Sequence, residues 1–198
     1  MGDKIMVVRH GEKPGKPPPP NGVDSQGVVN PECLIPRGWQ RSGALACLFS
    51  DMGAAARKHI AVPTKVYATD PGTKSKRPKE TVEAVSELQL NGAKPDLTWG
   101  EGQETTLVEH AKADAANGPV LIGWHHQKIP AIANAIVGND TTTPQHWPGK
   151  RFDMVWVFEL QSDGKTWDFH QVPQMVLYGD SDQPIPMSTT LADEQEGE

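Results

Sequence analysis

Cysteine is scarce in this 198-residue sequence, which contains only Cys33 and Cys47. Two widely spaced thiols cannot build a disulfide framework and match no zinc-binding spacing. Long apolar runs are also missing, since none approaches the roughly 20 residues that a membrane helix requires. A signal-peptide cleavage pattern is not evident either. We therefore expect a soluble, cytoplasmic protein with reduced thiols and no membrane partner.

An excess of positive charge is the next feature that the sequence lacks. It has 19 lysines and arginines against 25 aspartates and glutamates, for a net charge of −6. Binding to nucleic acid through overall charge is disfavoured, because the phosphate backbone attracts clustered basic residues. The length favours a single domain, which we place at residues 1–180, followed by an acidic and flexible tail at 181–198.

Short apolar runs alternate with helical patterns along the chain, which predicts an α/β fold. We expect a mostly parallel central sheet, helices on both faces and a C-terminal hairpin that turns at Asp163-Gly164. The predicted strands are residues 5–8, 62–68, 96–99, 120–124, 151–160 and 166–172. The predicted helices are residues 36–58, 81–90, 104–117 and 129–137.

Two of the most strand-like runs end in the same way. The run 5–8 leads into Arg9 and His10, and the run 120–124 leads into His125 and His126. Ligands of open α/β sheets collect beyond the carboxyl ends of the strands. If the two strands are neighbours, His10 and His125 meet at one edge of the sheet despite their separation in sequence.

These residue types suit phosphoryl transfer. A neutral histidine held in one tautomer is a good phosphoryl acceptor, and the arginine fork gives bidentate hydrogen bonds to phosphate oxygens. Gly11 would allow the backbone to approach a ligand, and Glu12 could orient a neighbouring arginine or histidine. Taken alone, Arg9-His10 could equally be a charged loop after a strand.

Three elements, in this order, resemble the histidine phosphatase superfamily, which has the phosphoglycerate mutase-like fold. They are the run Arg9-His10-Gly11-Glu12 after the first strand, an Arg-x-x-x-Thr setting from Arg77 to Thr81, and a second histidine, His125, at the end of a later strand. The resemblance spans roughly residues 5–178. It implies that His10 is the nucleophile that becomes phosphohistidine, and that Arg9, Arg77 and His125 clamp the phosphoryl oxygens.

The proton donor is less well defined by the resemblance. In the mutase-like branch a glutamate soon after the third strand takes this role, which points first to Glu104 and then to Glu101. In the acid-phosphatase branch an aspartate follows the second histidine, but His126 stands here. His126 could be a phosphate ligand, an unusual proton donor or a structural hydrogen-bonding group. We expect no cofactor and no metal, because neighbours such as His125 and His126 on an extended strand point to opposite faces and no acidic cluster joins them.

Two features near this predicted site are open to more than one interpretation. The proline-rich segment after Glu12 could be a lid or a linker. The basic residues Lys74, Lys76, Arg77 and Lys79 could attract a polyanion or could form the solvated start of a helix.

The leading functional hypothesis is a metal-independent phosphatase that hydrolyses a phosphate monoester, carried by a small molecule or by a phosphoprotein. A phosphoglycerate mutase-type phosphotransferase is the first alternative, although the short segment 100–105 suggests an open site that favours hydrolysis. A non-catalytic module that binds phosphorylated ligands is the second. The sequence does not indicate the oligomeric state.

Overall fold

The structure is a computed structural model and describes residues 3–15, 18–72 and 75–188. Within these ranges one five-stranded sheet has the order β2-β3-β1-β4-β5. The first three strands in the chain run parallel, whereas β4 is antiparallel to β1 and β5 is antiparallel to β4. The strands are β1 (Lys4–Arg9), β2 (Lys65–Ala68), β3 (Val120–Trp124), β4 (Met154–Leu160) and β5 (Trp167–Pro173).

Helices cover both faces of the sheet because the side chains of each central strand alternate between two apolar cores. Val7 belongs to the core beneath α4 and α5, and Val8 belongs to the core beneath α1 and α3. The helices are α1 (Pro36–Leu48), α2 (Asp51–Ala56), α3 (Arg77–Gln89), α4 (Glu104–Ala115) and α5 (Ile129–Val137). The predicted α/β fold, with a C-terminal hairpin beside a parallel core, is confirmed. None of the described helices has the length and apolar character needed to cross a membrane.

Two predicted elements differ in kind from the structure, while β2 begins at Lys65 rather than at residue 62 and α3 begins at Arg77 rather than at residue 81. The predicted helix 36–58 is two helices, because Ser50 adopts an extended backbone and its Oγ caps α2 by accepting a hydrogen bond from the Gly53 N–H. The predicted strand 96–99 is reduced to a single bridge between Asp96 and Tyr67. The Asp96 carboxylate accepts hydrogen bonds from the N–H and the hydroxyl of Thr98, and this local turn diverts the chain from the sheet.

The hairpin also begins later than predicted. Its first strand starts at Met154 rather than at residue 151, so residues 148–153 remain a loop. After the hairpin, Ile185 is buried, and its backbone N–H and carbonyl pair with the side-chain amide of Gln171. The division of the chain at residue 180 stays a prediction, and residues 189–198 of the expected tail lie outside the described residues.

Candidate active site

The parallel register of β1 and β3 brings the two strand-end histidines together. Arg9 pairs with Trp124, and the His10 N–H donates to the Trp124 carbonyl at 3.1 Å. Both strands therefore end at the same level, and the rings of His10 and His125 lie 5.5 Å apart, centroid to centroid, at 68°. The predicted neighbour relation of the two strands is confirmed.

His10 is held in one tautomer. Its Nδ1 lies 2.7 Å from the Gly11 carbonyl oxygen. Because a carbonyl only accepts, Nδ1 must carry the proton, which leaves the Nε2 lone pair unprotonated. Burial, and then the positive charge of Arg9, hold the pKa of His10 well below its usual value. The imidazole, only 3% exposed, is thus neutral at pH 7 and has the state that a nucleophile requires.

Arg9 presents one edge of its guanidinium without a partner. Its Nη1 donates to three backbone carbonyls, those of residues 148, 149 and 151, at 3.1, 2.6 and 3.0 Å. Its Nε and Nη2 are buried and have no hydrogen-bond partner among the described residues. Burial lowers the pKa of Arg9 to about 9. A buried cation with two parallel N–H donors is a ready site for an anion with two oxygens.

Arg77, the first residue of α3, contributes a second arginine. Its Nη1 donates to the Pro31 carbonyl at 2.9 Å, while its Nε is buried without a partner in the described part of the chain. Burial lowers the pKa of Arg77. Thr81, one turn later, accepts a hydrogen bond from the Gly11 N–H and donates one to the Arg77 carbonyl, each at 2.7 Å. The Arg-x-x-x-Thr spacing therefore fastens the start of α3 to the segment that carries His10.

Gly11 and Glu12 hold this segment against α1. A Cβ atom on Gly11 would lie 3.1 Å from the Gly38 carbonyl oxygen, so the missing side chain permits close packing with the helix. The Glu12 carboxylate accepts hydrogen bonds from Arg37 at 3.2 Å and from Arg41 at 2.8 Å. Arg41 is buried and also binds Asp180. Glu12 thus orients two arginines of α1, neither of which belongs to the predicted clamp.

The two consecutive histidines have different surroundings. His125 Nε2 lies 3.7 Å from a carboxylate oxygen of Glu101, and burial lowers the pKa of His125. His126 Nδ1 lies 2.9 Å from the Trp147 carbonyl oxygen, and burial lowers the pKa of His126 to about 4. A neutral His126 that donates to Trp147 matches the structural role among the three that the sequence left open.

The two candidate proton donors also differ. Glu104, at the start of α4, is buried and accepts hydrogen bonds from the Gly102 N–H and from the Trp124 indole N–H. Glu101 is 41% exposed at its side chain and lines a cavity of about 570 Å³ together with His125. Glu101 rather than Glu104 is therefore among the residues that line the cavity beside His125.

A second cavity of about 690 Å³ lies on the Arg77 side of the site, and Glu32 lines both cavities. Lys13, Lys150 and Phe152 are among its lining residues. The Phe152 ring stacks on the Arg9 guanidinium at 3.9 Å, and its centroid is 6.2 Å from that of His10. The predicted proline-rich lid or linker contributes to the wall of this cavity through Pro14, Gly15 and Pro18.

Sequence reasoning did not identify Glu32, Phe152 or the carbonyls that hold Arg9. A residue before a strand carries no signal that it will stack on an arginine from another strand.

Of the predicted basic patch, Lys74 lies outside the described residues, and Lys79 lies 3.5 Å from Glu83 in an i,i+4 pair typical of a solvated helix. The described residues of the site include no group of three histidine, cysteine or carboxylate side chains close enough to hold a metal ion.

The fold matches solved structures, although neither a family model nor a curated protein matches the sequence. Mycobacterial glucosyl-3-phosphoglycerate phosphatase matches at a TM-score of 0.51 and 12% identity, over 87% of this chain and 98% of that one. The product of an open reading frame from Mycobacterium tuberculosis matches at a TM-score of 0.50 and 11% identity, over 86% of this chain and 96% of that one. These likenesses confirm the phosphoglycerate mutase-like fold that the motifs imply.

Proposed function

We propose that this protein is a phosphatase of the histidine phosphatase superfamily that hydrolyses a phosphate monoester through a phosphohistidine on His10. The observation that carries the proposal is the pairing of a neutral His10, with Nε2 unprotonated, and an adjacent Arg9 with two guanidinium nitrogens that have no partner among the described residues. The shared fold and the Arg-His-Gly-Glu run support the same conclusion.

In the first step, His10 Nε2 attacks phosphorus in line with the ester oxygen. The new N–P bond forms as the P–O bond breaks, and the leaving alkoxide takes a proton from a carboxylic acid. Negative charge on the non-bridging oxygens would be stabilised by Arg9 and Arg77, whose buried nitrogens lack partners in the described part of the chain, and by His125, whose ring lies 5.5 Å from that of His10. Because the arginines supply the positive charge, the step needs no metal ion.

In the second step, a water molecule attacks the phosphohistidine. The carboxylate that lost its proton takes one from this water, the N–P bond breaks, and inorganic phosphate leaves with His10 neutral again. The hydrogen bond between Nδ1 and the Gly11 carbonyl keeps the ring in the same tautomer throughout both steps.

For the proton donor we propose Glu101. The carboxylate of Glu104 is already engaged by hydrogen bonds from the N–H groups of Gly102 and Trp124. Glu101 lies beside His125 on the cavity and has no such donors among the described hydrogen bonds.

The decisive experiment is to trap the phosphoenzyme. Wild-type protein is mixed with excess p-nitrophenyl phosphate, quenched in alkali, in which phosphohistidine survives, and mapped by mass spectrometry. We expect phosphate on His10, and we expect the His10→Ala variant to lose at least about a thousandfold in kcat/KM. The melting temperature of His10→Ala serves as the control for folding.

Two results would overturn the proposal. An equally active, folded His10→Ala protein would remove His10 from the mechanism. Binding of phosphate esters without any turnover by the wild-type protein would favour the non-catalytic binding module instead.

A further inference from the structure

A second group of histidines lies at the other end of the sheet. His59 follows α2, Glu159 is on β4 and His170 is on β5. We call these three residues the His-Glu-His cluster. Lys4, the first residue of β1, is the register partner of Glu159, whereas Arg9 is the last residue of β1. Five residue steps along a strand cover about 17 Å, so the cluster is separate from the candidate active site.

The three side chains place possible ligand atoms close together. His59 Nδ1 lies 3.0 Å and His170 Nε2 lies 3.4 Å from the same carboxylate oxygen, Oε2 of Glu159. All three ligand atoms lie within 4.8 Å of one another. Two ligands of a tetrahedral zinc ion, each bonded at about 2.0–2.1 Å, lie roughly 3.3 Å apart. The two nitrogen–oxygen distances bracket that value.

The rest of the carboxylate is already fixed. Lys4 Nζ lies 2.9 Å from Oε1 of Glu159 and donates to the His59 carbonyl at 2.8 Å. Lys4 thus occupies one carboxylate oxygen and leaves Oε2 to face the imidazoles. Partners of this kind commonly orient the ligands of metal sites in proteins.

The two imidazoles of the cluster lie face to face. Their rings stack at 3.8 Å between centroids and 19° between planes, which is unfavourable if both are protonated. All three side chains remain partly exposed, so water and ions can reach them.

His59 is also held in a backbone conformation that side chains rarely adopt. Its φ is +71°, in the left-handed region. Residues other than glycine enter this region at a cost, and such strain tends to be kept where the position has a task. Here the conformation aims Nδ1 at the Glu159 carboxylate.

We propose that His59 Nδ1, Glu159 Oε2 and His170 Nε2 bind a divalent transition-metal ion of the zinc type, with water as the fourth ligand. Two nitrogen ligands and one carboxylate form a known zinc ligand set, and magnesium and calcium prefer all-oxygen sites. The ion would join the loop after α2 to the C-terminal hairpin. The site is independent of the proposed phosphatase chemistry.

Isothermal titration with zinc tests the proposal on the full chain, freed of any affinity tag and of bound metal. We expect one saturable site, weakened at least about tenfold in His59→Asn and in His170→Gln. Asparagine is chosen at position 59 because it tolerates the left-handed backbone better than alanine. His110→Asn, at a histidine of α4 outside the cluster, is the matched control and should bind zinc within about twofold of the wild type.

Imidazole ¹H–¹⁵N spectra of the wild-type protein provide a readout that does not depend on the folding of a variant. Zinc should shift the ring resonances of His59 and His170 first. The proposal is overturned if zinc shows no saturable binding, if it binds both variants as tightly as the wild type, or if the first resonances to shift are those of His125 and His126.

Discussion

The two ends of the central strand β1 place the same side chain in opposite electrostatic surroundings. At its carboxyl end, burial first, and then the charges of Arg9 and Arg77, lower the pKa of His10 and of His125. At its amino end, the histidines of the His-Glu-His cluster converge on the carboxylate of Glu159. A histidine can act as a nucleophile or as a metal ligand, and the charge of the neighbouring side chains influences which of these roles it suits. The carboxyl end therefore offers arginine donors, and the amino end offers a carboxylate oxygen between two imidazoles.

The first test asks which glutamate donates the proton in the candidate active site at the carboxyl end of β1. If Glu101 donates the proton, Glu101→Gln should lower kcat by about 10²–10⁴ on an alkyl phosphate, because its leaving group departs only when protonated. The loss should be much smaller on p-nitrophenyl phosphate, whose leaving group departs without a proton. Steady-state kinetics on the two substrates measure the difference.

Glu104→Gln is the matched variant for this comparison. It removes the charge of a carboxylate in the same segment, but one that accepts hydrogen bonds from Gly102 and Trp124. We expect it to lower stability while leaving the ratio of the two activities near that of the wild type. A selective loss on the alkyl phosphate in Glu104→Gln alone would return the role of proton donor to Glu104.

Substitution of Arg9 tests whether phosphate binding and catalysis need the paired N–H donors of an arginine or only its positive charge. Arg9→Lys keeps the charge but loses the paired Nε and Nη2 donors, so kcat/KM should fall about 10²–10³-fold and inhibition by inorganic phosphate should weaken in parallel. Arg57→Lys is the control, because Arg57 also donates to a backbone carbonyl, that of Pro173, but lies outside the site. Equal activity of the two variants would show that charge alone suffices.

Much of the fold could be predicted because its signals are local. The uninterrupted apolar runs of β1 and β3 identify strands buried on both faces, and the turn at Asp163-Gly164 identifies the hairpin. The failures also have local causes that periodicity does not report. Ser50 caps a new helix inside an apparently continuous one, and the Asp96 carboxylate turns the chain away from the sheet.

Part of the candidate site could be predicted because two strand ends carried a signal. His10 and His125 follow neighbouring parallel strands, so a general rule of α/β sheets brings them together. Phe152 and Glu32 reach the site from loops, whose packing has no sequence signature. The His-Glu-His cluster was equally hidden, because 100 positions separate His59 from Glu159 and no spacing relates them. The expectation of no metal rested on His125 and His126 alone and therefore did not weigh these residues.

The smallest expected effect is on the free energy of unfolding in acid, and it concerns one histidine, His126, near the carboxyl end of β1. Burial lowers the pKa of His126 to about 4 in the folded protein, whereas an unfolded histidine titrates near 6.5. As the pH falls below about 6.5, the unfolded chain binds the proton first, so stability is lost from there down to the folded value. Between pH 7 and pH 5 this loss amounts to about 2 kcal/mol for a single group with these values.

His126→Asn keeps a donor in the place of Nδ1 for the Trp147 carbonyl but cannot titrate. Urea unfolding at both pH values should therefore show wild type and variant close together at pH 7, with the variant gaining about 2 kcal/mol relative to the wild type at pH 5. Parallel pH dependence in the two proteins would mean that His126 is not held neutral by its burial, and the electrostatic contrast between the two ends of β1 would then rest on His10 and His125 alone.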